Sequence, residues 1–84
     1  MKMRLTPQQS DLLIEVKEYF KWQQRLEFEE QPTCVVLKDL DENDAVDLRE
    51  LCSDYLLEFG FDENYNANAK GKILEELVDM FWIS

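Results

Sequence analysis

The chain's densest store of chemically active side chains is a set of carboxylates: Asp39, Asp41, Glu42, Asp44, Asp47, Glu50, Asp54, Glu58, Asp62 and Glu63. These are ten of its nineteen acids, and the same 25 residues hold one base, Arg49, so the local charge is −9 where the whole 84-residue chain carries −10. Residues 1–38 balance six acids with six bases, and residues 64–84 carry three acids and two bases. The acidity therefore belongs to one segment and is not a uniform coat. Crowded carboxylates can do three things. One of a pair can move protons if an apolar setting raises its pKa. Alternating oxygens can wrap a hard cation. A row of them can attract a basic surface.

The cation reading rests on spacing. Asp39, Asp41, Asn43, Asp47 and Glu50 supply oxygen donors at positions 1, 3, 5, 9 and 12 of a twelve-residue segment, with Val46 at position 8. This spacing resembles an EF-hand loop, which implies calcium held by Asp39, Asp41, Asn43 and Glu50, the last bidentately. The resemblance covers those twelve residues only. Asp44 stands where the motif's sharp turn uses glycine, Pro32 interrupts the incoming helix, and Ile73 occupies the last ligand position of any paired loop over residues 62–73. A capped helix with a solvated acidic face accounts for the same residues.

The proton-transfer reading is weaker. The acids point to an outward face with no pocket implied, and the chain has no histidine, which removes His-based acid–base work and Ser–His or Cys–His nucleophiles. Cys34 and Cys52 are too few for a disulfide scaffold or for a four-ligand zinc site in one chain, and read as small apolar residues. No glycine-rich phosphate loop is present, and the negative charge opposes direct nucleic-acid binding. No cofactor is expected.

The elements that must position the acids are helical by pattern. Ala45, Leu48, Leu51, Cys52, Tyr55, Leu56 and Phe59 fall on one face at about 100° per residue, with Asp47, Glu50, Asp54 and Glu58 directed away. Asp41 suits an N-cap, Glu42 and Asp44 suit the first turn, and Gly60 suits a left-handed end. Upstream, Thr6, Pro7 and Gln9 form a capping-box start for a helix whose apolar side is Leu12, Leu13, Val16, Tyr19, Phe20 and Leu26. Ile14, Trp22 and Phe28 lie off or at the border of that side, and either meet a third element or form a homodimer surface. Pro32 ends the element, and Cys34-Val35-Val36-Leu37 reads as a packed linker or turn in preference to a strand that pairs across a dimer, for want of a second convincing strand. Asn66 or Asn68 caps a last helix bearing Ile73, Leu74, Leu77, Val78, Met80, Phe81 and Trp82; Gly71 in its first turn either permits a close backbone approach or, the preferred reading, is a tolerated surface glycine.

Together these patterns predict one small all-α or mainly α domain of three helices over about 7–29, 42–59 and 69–82, with room for one short extended segment near 34–37. The composition (45% apolar, 12% aromatic, two glycines, two prolines) suffices for a modest core and is unlike a disordered acidic tail. No apolar run approaches the roughly 18–20 residues of a membrane span, and no apolar core follows the basic N-terminus, so a cytoplasmic protein is expected. The function expected is non-enzymatic: an acidic protein engaging a basic protein partner through Asp47, Glu50, Asp54, Glu58, Asp62, Glu63 and Tyr65. Toxin-immunity proteins, antitoxins and nucleic-acid mimics share that general character.

Overall fold

Thr6 and Gln9 start the first helix as their spacing requires. In the computed structural model, which describes residues 2–38 and 40–82, the Gln9 amide donates to Thr6 Oγ1 at 3.1 Å and the Thr6 amide donates to Gln9 Oε1 at 2.9 Å. This reciprocal capping box, with Pro7 at the first helical position, opens helix α1, Pro7–Tyr19. Helix α2, Glu42–Phe59, begins at Asp41, whose carboxylate accepts from the Asp44 amide at 2.7 Å. Helix α3, Ala69–Met80, begins at Asn68, whose side-chain oxygen accepts from the Gly71 amide at 2.7 Å. The three expected helices are present, and α2 has the expected bounds.

The first helix is ten residues shorter than expected, because Lys21 takes the left-handed conformation at φ 54°. The Lys21 amide donates to the Glu18 carbonyl at 3.2 Å and the Trp22 amide to the Lys17 carbonyl at 3.0 Å, the paired bonds of a Schellman end. Glycine usually fills that left-handed position, so a lysine there gives no sequence signal. Trp22 then packs inward against the core.

The chain freed by this stop supplies two strands, which join a third from before α1 in a sheet larger than the one short extended segment allowed for near 34–37. Strand β1 is Met3–Leu5, β2 is Glu27–Glu30 and β3 is Val35–Lys38. They pair antiparallel in the order β1-β3-β2, with Met3 and Phe28 flanking Leu37, and Arg4 and Glu29 flanking Val36. Residues 35–38 are thus a central strand rather than a packed linker, and both partners come from the same chain. The Gln31 amide closes the β2–β3 connection on the Cys34 carbonyl at 2.9 Å, around Pro32.

Leu5 and Leu37 from the sheet join Leu12, Leu13 and Val16 of α1, Leu40, Ala45, Leu48, Cys52 and Tyr55 on or beside α2, and Leu74, Leu77 and Phe81 on or after α3 in one core. Phe28 and Trp22 pack against it, which satisfies the third-element reading of those residues and leaves Ile14 alone on the surface. Cys52 is fully enclosed, and burial pushes its thiol up to about 12. A thiolate reagent at neutral pH is therefore expected to modify Cys34 alone in the folded protein and both cysteines in denaturant, counted by absorbance or mass. No described helix is long and apolar enough to cross a membrane.

Candidate binding surface

The face of α2 opposite its buried stripe carries the predicted acids. Asp47, Glu50, Asp54 and Glu58 follow one another at three- and four-residue intervals, so they line one ridge, and all four are exposed. Arg49, the sole base of the helix, is turned aside: its guanidinium lies 4.3 Å from the centre of the Trp82 ring. The one ion pair among the described residues is Lys70–Glu15, elsewhere on the surface. No cation therefore neutralises the ridge. The crowding is visible at Asp44, whose carboxyl is raised by slight burial first and then by the charges of Asp41 and Asp47.

Two of the seven predicted contact residues also have internal tasks. Glu58 accepts from the Tyr19 hydroxyl at 3.0 Å, which raises that phenol's pKa. Asp62 Oδ1 accepts from the amides of Asn64 and Asn66 at 2.8 and 3.0 Å, so its carboxylate shapes the loop between α2 and α3. That loop sets Tyr65 at φ 62° and 87% exposed, the most exposed large hydrophobic side chain among the described residues. A left-handed tyrosine is strained, and the strain is held by the Asp62 bonds together with the Phe61–Ala67 bridge and the bond from the Asp62 amide to the Asn66 carbonyl. Glu63 is exposed beside it.

Both ends of this loop are stitched by Asn68. Its Nδ2 donates to the Phe59 carbonyl at 3.0 Å while its Oδ1 caps α3, and its amide donates to the Gly60 carbonyl at 2.9 Å. The α2–α3 crossing leaves Gly60 and Gly71 in backbone contact, a built Cβ on either lying 3.1 Å from the other's Cα. Gly71 is thus required by close approach and is not a tolerated surface glycine. Gly60 caps α2 with φ −90°, in the ordinary helical region rather than the left-handed one anticipated.

The EF-hand arrangement is not formed by the described residues. Asn43, Asp47 and Glu50 lie on a continuous helix that begins at Glu42, which spreads them along an axis at 1.5 Å per residue instead of wrapping them around a point. Asp41 is engaged as the N-cap, and Asp39 lies outside the described residues. No cluster of three or more metal-ligating side chains occurs among the described residues.

Residues the pattern did not single out make a second polar site. A cleft of about 330 Å³ runs between α1 and α3, lined by Gln8, Asp11, Leu12, Glu15, Ala69, Lys70 and Ile73. At its side Glu15 Oε2 accepts from Lys70 Nζ at 2.8 Å and from the Tyr55 hydroxyl at 2.6 Å. Lys70, then Tyr55, lowers the Glu15 pKa, and Glu15 raises that of Lys70. Each group is fixed in its charged form, so neither is poised to exchange protons near neutrality. These residues are 40 and 55 positions apart in sequence, which leaves no local spacing to find. Because the folded pKa of Glu15 is depressed, its contribution is present above about 4.5, the ordinary value, and lost as pH falls through the lowered one. A Glu15→Gln variant is accordingly expected to show a smaller drop in Tm than wild type on acidification from pH 5 to pH 3, followed by circular dichroism.

Compared with family models, with curated proteins and with solved structures, the chain has no match in any of the three.

Proposed function

We propose that this chain is a non-enzymatic, cytoplasmic binding protein that engages a basic protein through the acidic ridge of α2 and the loop that follows it. The observation that carries this reading is the un-neutralised ridge itself. Asp47, Glu50, Asp54 and Glu58 are exposed on one line, and the helix's only base is turned onto Trp82. Self-repulsion of this kind costs a few tenths of a kcal/mol per neighbouring pair, and a partner's lysines and arginines would relieve it while steering association. Tyr65, held out on a braced turn, is the aromatic contact within that charged rim. Glu15 and Lys70, fixed in their charged forms, give no support to a catalytic reading of the cleft.

Toxin-immunity proteins, antitoxins and nucleic-acid mimics are the functional types with this logic, since each answers a basic target. The test is affinity capture from a lysate of the cells of origin, washed at rising salt, with bound proteins identified by mass. A basic protein held at low salt and released at high salt is the expected result. Retention only of neutral or acidic proteins, indifferent to salt, would overturn the reading.

A further inference from the structure

Where α1 and α2 end side by side, four aromatic rings gather. Tyr19 lies 5.4 Å from Tyr55 and 5.3 Å from Phe59 between ring centres, Tyr55 lies 4.7 Å from Phe59, and Phe20 closes on Tyr19 at 4.9 Å. Three of these contacts are edge-on, the arrangement in which the edge of one ring meets the face of another. Tyr55 is buried, but Tyr19 is 47% and Phe59 40% exposed. Such an apolar surface on so acidic a molecule is out of place unless something covers it.

Charge identifies what that is. The inner ring already holds a cation, for Lys70 Nζ sits 5.7 Å from the Tyr55 centre. The other cation–π contact among the described residues, Arg49 on Trp82, is likewise internal. Tyr19 and Phe59 have no cation of their own. At their rim Glu58 holds the Tyr19 hydroxyl and keeps a second carboxylate oxygen, with Asp54 one turn behind it on the ridge. Lys17 and Lys21 occupy the end of α1, so the attraction for a cation comes from the α2 side. A flat group that is cationic, stacks on an aromatic face and donates to a carboxylate at its edge fits here. That is a guanidinium, which stacks on a ring and forks onto a carboxylate, whereas an ammonium is compact and strongly hydrated.

We infer that the Tyr19–Phe59 patch, rimmed by Glu58, is the seat for an arginine side chain of the basic protein partner, an inference that rests on the acidic-ridge reading above. The ridge supplies long-range attraction, and the patch selects arginine over lysine.

The test uses the whole chain and two fluorescent probes of equal charge, nona-arginine and nona-lysine peptides, with Kd read by anisotropy at fixed ionic strength. The arginine peptide is expected to bind about tenfold more tightly. Arginine also pairs better with carboxylates anywhere, so the decisive comparison is Phe59→Leu and Tyr19→Leu. Each should cut the arginine peptide's advantage several-fold while leaving the lysine peptide's Kd unchanged. Equal loss for both peptides would overturn the inference and leave the ridge reading standing. Failure of both peptides to bind wild type would overturn the inference and the ridge reading together. Should the leucine variants unfold, proton spectra of the wild-type rings decide the matter. Tyr19 and Phe59 resonances must shift with the arginine peptide and hold still with the lysine peptide, and unmoved rings with both would overturn the inference.

Discussion

Replacing Gly71 with alanine is expected to destabilise the protein by about 3 kcal/mol, at the upper end of ordinary overpacking, or roughly 12–24 °C in Tm for a chain of this length. The sign is the informative part. In most helices glycine to alanine gains about 1 kcal/mol. Here the added methyl would overlap the Gly60 carbonyl oxygen and come within 2.9 Å of its carbon. Both clashing atoms are backbone, so no side-chain rotation relieves them. Moving α3 away would stretch the bond from the Asn68 amide to the Gly60 carbonyl and the bond from Asn68 Nδ2 to the Phe59 carbonyl. It would also disturb the loop that presents Glu63 and Tyr65. An unchanged or raised Tm in thermal denaturation would show that α2 and α3 do not cross this closely.

Reversing Glu50 and Asp54 to lysine together should weaken partner binding about fivefold to nearly a thousandfold with no loss of Tm. Glu50 and Asp54 form no hydrogen bond or ion pair among the described residues, unlike Glu58 and Asp62, so they report on external charge alone. An exposed ion pair contributes roughly 0.2–1 kcal/mol. Reversal removes that and substitutes a repulsion of similar size at each of two positions, about 1–4 kcal/mol in all. Within the helix the change is mildly favourable, because each new ammonium would face carboxylates at Asp47 or Glu58. The salt dependence of binding should flatten as well. Calorimetric titration of the captured partner, paired with melting curves, measures both quantities. A parallel fall in Tm and affinity would mean that these residues hold the fold instead.

How much of the fold is legible in the sequence follows the range of the forces involved. Capping at Thr6, Asp41 and Asn68 is decided within three residues; the first two caps are where the spacing put them, and the third is one of the two asparagines it offered. The outward acidic face of α2 was equally legible, since helix periodicity fixes it once the helix is known. The end of α1 was not. A lysine in a left-handed position looks like any solvated charge, and Leu26 beyond it, with Trp22 at the border of the face, continues the helical rhythm well enough to mislead. The sheet was hidden for a related reason. Its strands have three or four residues, β2 is three-quarters glutamate, and β1 pairs with a segment about thirty residues away. The contact of Gly60 with Gly71 and the Glu15–Lys70–Tyr55 group depend wholly on how helices cross. Tyr19 and Phe59 were read as core residues by their face, but both close their helices, where the neighbouring element runs out and leaves the rings half open.

The most direct test of the central claim is a titration of the ¹⁵N-labelled chain with the basic partner retained in the capture, followed amide by amide. The account predicts that the largest shifts fall on Asp47, Glu50, Asp54 and Glu58 along α2 and on Asp62 to Asn66 in the loop, with β1, β2 and β3 unmoved. Shifts concentrated on the sheet, or on the α1–α3 cleft around Gln8 and Lys70, would contradict it and leave the acidic ridge as a solvated face.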